Sequence, residues 1–279
     1  MTLSDGVSLR VAESGDAAAP AVLLVHGWGA SMYMWRDWFA PLAAAGRRVV
    51  AVDLPGHGVS DKPTDLGRYT LASLVGVVGE LIAERALGAP DIVAQSMGGT
   101  IALAVAVRRV APVGRLVLVN PACFGLVSAL RLARFVTPLA VKPVVDRLVP
   151  RWVVARGHRL AYGDPSLVTT EDIDQYWAPS QFPGYARAML RLVHDFSWER
   201  PSVRVMASRL RSLAPPTAPP LVVLGTRDRL VLGAHAYAAA VRAAGAPLEI
   251  FESVGGGHAV NEERPAEVID VVRRFLHIA

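Results

Sequence analysis

Apolar positions along this chain follow two rhythms. Six short runs, at 21–25, 48–53, 91–95, 115–120, 221–225 and 248–252, are rich in Val, Leu and Ile and bounded by Gly, Pro or Asp. Five or six residues of near-continuous hydrophobicity read as strands buried on both faces. Between them the period lengthens. Over 70–87, Leu71, Leu74, Val75, Val78, Leu81 and Ile82 recur at helical spacing, while Glu80, Glu84 and Arg85 fall off that face. The stretches 97–110, 233–244 and 265–277 read as further helices. Strand–helix–strand alternation predicts an α/β fold, a mostly parallel central sheet flanked by helices. Residues 7–13 are expected to add an antiparallel edge strand.

The alternation fails over 124–212, where prolines at 138, 143, 150, 165, 179, 183 and 201 divide helix-like sequence into short pieces. Such a stretch is too long for an ordinary loop between two strands. It predicts a helical cap, or lid, inserted over the carboxyl edge of the sheet. The expected organisation is a core domain made of 1–123 and 213–279 with the cap at 124–212. The proline-rich 214–220 (APPTAPP) reads as a stiff connector back into the sheet.

Composition narrows this only a little. A chain of 279 residues, 52% apolar, is long enough for one large core. The lone Cys123 excludes an internal disulfide framework and a zinc site built on cysteines. The first ten residues lack the pattern of a secretory signal, and no run of 18 apolar residues occurs, so a cytoplasmic location is expected. The net charge of +5 is unevenly placed: 126–159 carries seven Lys or Arg against one acid. No aromatic-basic or groove-binding motif accompanies that charge, so nucleic acid is not an expected partner. A solvated basic helix face is the plain account of it. Its apolar positions, among them Leu126, Leu130, Phe135, Leu139, Val144, Leu148 and Val153, leave open a greasy entrance for lipophilic groups or a weaker peripheral membrane contact.

The chemistry concentrates at strand ends. In Ile92-Val93-Ala94-Gln95-Ser96-Met97-Gly98-Gly99, a serine directly follows a strand and opens a helix, with small residues two before and two after. Such a turn lifts the hydroxyl above the sheet edge, beside the positive end of the next helix. Read alone, the serine is also a plausible helix cap. A serine hydroxyl needs a base, and the base an orienting group. His258 lies on the loop Gly255-Gly256-Gly257-His258 after the last strand, and Asp228 lies in Gly225-Thr226-Arg227-Asp228 after the strand before. The order serine, acid, histidine is the one such sheets use. Asn120 stands at the other strand end where an acid would serve, and it carries no charge. His26 and His57, in glycine-containing turns, read as loop braces; His158, His194 and His235 read as surface or packing residues. The turn His26-Gly27-Trp28-Gly29 offers the Trp28 N–H to a developing oxyanion, and Met97 N–H is the second donor. Asp53-Leu54-Pro55-Gly56-His57-Gly58 reads as scaffold for that turn. Met32, Phe124 and Trp152 are candidates for the substrate pocket, with Trp28 and Met97 side chains beside them.

HGWG, DLPGHGVS, AQSMGG, GTRD and GGGHAVNEERP, in this order, resemble the α/β-hydrolase fold superfamily over nearly the whole chain outside the insertion. Where that family usually has glycine two before the serine, this chain has Ala94. The resemblance implies a Ser96–Asp228–His258 triad and oxyanion N–H groups from Trp28 and Met97. It leaves the reaction open, because one scaffold hosts many chemistries. Dehalogenases and epoxide hydrolases of this fold attack through an aspartate, so Ser96 argues against both. Carbon–carbon hydrolases usually extend the oxyanion turn with Ser-Gly-Pro-Gly and place a tryptophan after the histidine; this chain has Ala30-Ser31 and Ala259. A cofactor-independent, metal-free serine hydrolase cleaving a carboxylic ester or thioester of a small, lipophilic substrate is the leading expectation. A carbon–carbon hydrolase and a non-hydrolytic acyltransferase or cyclase remain alternatives. The chain is expected to act as a monomer or homodimer.

Overall fold

The apolar runs become seven strands: β1 (Val11–Ser14), β2 (Ala21–Val25), β3 (Arg48–Val52), β4 (Asp91–Gln95), β5 (Leu116–Val119), β6 (Leu221–Gly225) and β7 (Glu249–Ser253). The computed structural model describes residues 1–65, 67–127, 149–217 and 219–278. The strands form one sheet in the order β1-β3-β2-β4-β5-β6-β7, parallel throughout except for β1. The edge strand is shorter than its sequence predicts. Residues 2 and 8 instead meet in an isolated bridge around a tight turn, which leaves only 11–14 to pair with β3.

Every residue of β2, β5 and β6 is buried, which explains their unbroken hydrophobicity. Alternate side chains enter opposite layers: Leu23 and Val25 join one cluster, Val22 and Leu24 the other. On the first face pack α2 (Leu71–Glu84), α3 (Met97–Arg108) and α8 (Ala234–Ala243), through residues such as Leu74, Val78, Ile101 and Val241. On the second face pack α1 (Phe39–Ala44) and α10 (Pro265–Phe275), with Trp35, Trp38, Val272 and Phe275. Thr70 is outside α2 and caps it, its hydroxyl accepting from Ser73 N–H at 3.2 Å.

Between β5 and β6 the described residues hold α4 (Arg151–Ala161), α5 (Thr170–Trp177), α6 (Tyr185–Asp195) and α7 (Val203–Arg211). The stretch 128–148, with most of the apolar and basic positions read as a greasy entrance, lies outside the described residues. The rest of the insertion is seated firmly on the sheet domain. Gly257 approaches Gly163 so closely that a Cβ on Gly257 would lie 2.2 Å from the Gly163 nitrogen. Ala259 N–H donates to Ala161 O at 3.0 Å, and the Glu263 carboxylate accepts from Gly163, Asp164 and Gly257 N–H groups. Among the described residues no helix is long and apolar enough to cross a membrane.

Helix α3 is seated tightly against the end of β2. A Cβ on Gly98 would fall 2.5 Å from His26 O and 2.6 Å from Val25 O, both immovable backbone. Gly98→Ala is therefore expected to destabilise the fold by about 1–3 kcal/mol, as overpacking does. Thermal denaturation should show Tm lowered by several degrees; an unchanged Tm would contradict this contact.

Candidate active site

Three strand ends meet at the carboxyl edge of the sheet. Ser96, between β4 and α3, has φ 53° and ψ −114°, a backbone conformation that non-glycine residues rarely adopt. The conformation is held from several sides. Ser96 N–H donates to Val119 O at 2.9 Å, and Ser96 O accepts from Ala122 N–H at 3.0 Å and Thr100 N–H at 3.2 Å. The strained turn presents the serine side chain to a cavity of about 560 Å³, which His258 also lines.

His258 sits on the loop between β7 and α9 (Val260–Glu263). Its Nδ1 lies 2.8 Å from Asp228 Oδ2, and an ionised carboxylate only accepts, so Nδ1 carries the proton and donates. Nε2 is left as the lone-pair nitrogen. The other Asp228 oxygen accepts from Leu230 N–H at 2.7 Å and Val231 N–H at 3.0 Å. Burial alone would raise the Asp228 pKa; the electrostatic attraction and hydrogen bond of the facing His258 ring, with those two amides, hold it below the ordinary carboxylate value. Ser96 and His258 share the cavity wall without a hydrogen bond between them. Neither Trp28 N–H, at the cavity, nor Met97 N–H, directly after Ser96, has an acceptor among the described residues, as donors reserved for a ligand would not.

The turn carrying Trp28 is braced from below. His26 Nε2 accepts from Leu54 N–H at 2.9 Å while its Nδ1 donates to Gly27 O at 2.7 Å. Asp53 accepts from Met32 N–H at 2.7 Å and Val59 N–H at 3.0 Å. Burial pushes the pKa of His26 down, and that of His57 further, so both brace these turns as neutral rings.

Three pocket candidates from the sequence lie elsewhere. Met32 is buried in the core layer with Trp35 and Trp38, and Met34, two residues on, reaches the cavity instead. Phe124 is fully buried and packs edge-on against Tyr237 at 5.6 Å. Trp152 is 70% exposed, because α4 turns Val154, His158 and Ala161 inward, positions of one helical face that 152 does not share. Met97 is also wholly buried and is not part of the cavity lining. Trp28 does line the cavity, its indole N–H donating to Met189 O at 3.3 Å.

His158 packs on Tyr176 and Tyr162, as a packing residue would, and it also lines the cavity wall, which the sequence does not predict. It shares that wall with Tyr176 of α5, Tyr185 and Met189 of α6, Trp198 and Glu262. The inward stripe Val154, His158, Ala161 is the periodic signal that could have revealed it. Behind the wall lies a buried charged group. Arg36 forks between Glu262 Oε2 at 2.7 Å and Asp172 Oδ1 at 2.9 Å, and Tyr176 hydroxyl donates to Glu262 Oε1 at 2.5 Å. Burial raises the Glu262 pKa to about 7 even though Arg36 and Tyr176 favour its anion. Asp172 takes further donors from Thr169 and Tyr33, and these with Arg36 hold its pKa low against burial.

The model of the alpha/beta hydrolase family matches residues 22–271. An uncharacterised protein of Mycobacterium tuberculosis is 30% identical over 285 aligned positions, covering 96% of this chain and 77% of that protein. A haloalkane dehalogenase of Mycobacterium marinum is 33% identical over 78% of this chain and 72% of its own length. Among solved structures, an epoxide hydrolase without ligand superimposes with a TM-score of 0.80 at 22% identity, covering 99% of this chain and 97% of that one, a likeness of fold.

The raised pKa of Glu262 makes a prediction about stability. Between about pH 4.5 and 7 the folded protein keeps a proton on Glu262 that the unfolded chain has released. The folded state then binds more protons, so this group's contribution to stability falls as pH rises through that window. Glu262→Gln, which mimics the protonated acid, should remove that slope. Tm measured from pH 4.5 to 8 should show the variant gaining on the natural protein as pH rises; parallel curves would refute the assignment.

Proposed function

The chain belongs to the alpha/beta hydrolase family, and from that footing we propose that it is a serine hydrolase cleaving a carboxylic ester or thioester through an acyl-enzyme. In this reading Ser96 attacks the carbonyl carbon and His258 Nε2 takes its proton. Asp228 holds the imidazole in the required tautomer and stabilises the imidazolium. Trp28 and Met97 N–H groups receive the oxyanion. His258 then protonates the leaving alcohol or thiol, and in the second half removes a proton from water as it attacks the acyl-enzyme. The helical insertion acts as a cap that selects the substrate. No step calls on a cofactor or metal.

One observation carries the reading. A serine on a strained strand-to-helix turn and a histidine bonded to a buried carboxylate at 2.8 Å line one cavity. The similarity to a dehalogenase does not transfer its chemistry. Displacement at saturated carbon through an alkyl-enzyme ester needs a carboxylate nucleophile, and the residue on this turn is a serine. The largely aliphatic and aromatic lining, including Val154, Leu160, Met189 and Trp198, suits a lipophilic acyl or alkyl group.

A fluorophosphonate probe should label the natural protein and fail to label Ser96→Ala. Persistent labelling of that variant would sink the assignment. On aryl esters, Asp228→Asn should lower kcat by about 10⁴-fold, the scale for losing the correct tautomer, with circular dichroism unchanged. Probe labelling without ester turnover would move the proposal to an acyl acceptor other than water.

A further inference from the structure

The polar groups facing the cavity are nearly all spoken for. Gln95 Nε2 donates to His258 O at 3.0 Å, Trp28 Nε1 to Met189 O, and Trp198 Nε1 to Leu192 O at 2.9 Å. Tyr176 and Glu262 satisfy each other. Beyond Ser96 and His258, two side chains on this wall remain without a hydrogen-bond partner among the described residues. They are His158 of α4 and Tyr185 of α6. Both are more than nine-tenths buried, and both come from the insertion. The His158 ring is fixed by stacking on Tyr176 at 4.1 Å and lying edge-on to Tyr162 at 5.0 Å. The buried, fixed and unpaired His158 Nε2 in an apolar wall weakens the fold unless something else pairs with it.

Resting on the ester-hydrolase reading above, we propose that His158 and Tyr185 form a hydrogen-bonding subsite for a neutral oxygen function, a ketone or hydroxyl, carried on the otherwise apolar chain of the substrate. Both groups donate without charge. Burial lowers the His158 pKa to about 4, so at neutral pH the ring offers one N–H and one acceptor nitrogen. The Tyr185 phenol is held protonated by burial. The guanidinium behind this wall, Arg36, is committed to Glu262 and Asp172, and no Lys or Arg lines the cavity among the described residues. A carboxylate or phosphate on the substrate chain would meet no free cation among the described residues. A plain alkyl chain would bury both groups with nothing to pair them. An oxygenated neutral chain satisfies them, and a site built to pair a polar group discriminates against analogues that lack it.

The test is binding to the Ser96→Ala protein, which needs no turnover, using methyl octanoate and its 3-, 5- and 7-oxo and 7-hydroxy derivatives in calorimetry. At least one oxygenated ester should bind about 10-fold more tightly than methyl octanoate, the scale of one or two buried hydrogen bonds. His158→Phe and Tyr185→Phe, each added to Ser96→Ala, should reduce that advantage while leaving methyl octanoate within about two-fold. Plain octanoate binding as well as every derivative, or an advantage that survives both substitutions, overturns the subsite. Tighter binding of an oxygenated ester by the Ser96→Ala protein, with no ester turnover by the natural protein, would keep the subsite and overturn the hydrolase reading instead.

Discussion

The carbonyl oxygen of His258 accepts from two side-chain amides, those of Gln95 and Asn120, each at 3.0 Å. These amides stand at the ends of neighbouring strands, β4 and β5. Asn120 also donates to Gly257 O at 2.9 Å and accepts from Gly225 N–H at 2.9 Å. One buried side chain thus ties the end of β6 to the loop that follows β7. Placing a histidine from the last loop over a serine from the middle of the sheet requires a fixed loop, and no regular ladder reaches that far. This clamp supplies the fixing. The Asp228–His258 bond, the cavity wall and the contact between Gly257 and Gly163 all depend on it.

The same loop joins the two parts of the chain. Ala259 N–H bonds to the insertion at Ala161, and Glu262, one turn on, meets Tyr176 and Arg36. Burying two carboxylates around one guanidinium is costly in isolation. Here the cost is offset by short donors on nearly every oxygen and by the proton that Glu262 retains up to about pH 7. The insertion and the histidine loop are therefore set relative to each other by directional bonds rather than by apolar packing alone.

The sheet and the Ser96, Asp228 and His258 positions were legible because each rests on a local rule. Buried parallel strands must be hydrophobic throughout, and the turns after them demand small residues at set places. The limits of β1 were less legible, since residues 2 and 8 pair around a turn that no alternation pattern reveals. The cavity wall was the least legible part. Which face of α4 turns inward depends on contacts about a hundred residues away in sequence, with Glu262 and the Gly257 loop. Proximity to catalytic positions misled at Met32 and Phe124, because neighbours along a chain point to opposite layers of a three-layer fold. Asn120 was read only as an acid that is absent; its amide role needs the loop in place before it has partners.

Ser96 holds a backbone geometry that glycine would adopt with less strain. A glycine there would be conformationally easier and chemically inert. The sequence that best satisfies the backbone at this position and the sequence that presents a hydroxyl to the cavity are therefore different. On the proposed mechanism, screening this chain for thermal tolerance alone would favour drift away from reactivity at the β4–α3 turn, and selection for turnover would have to oppose it.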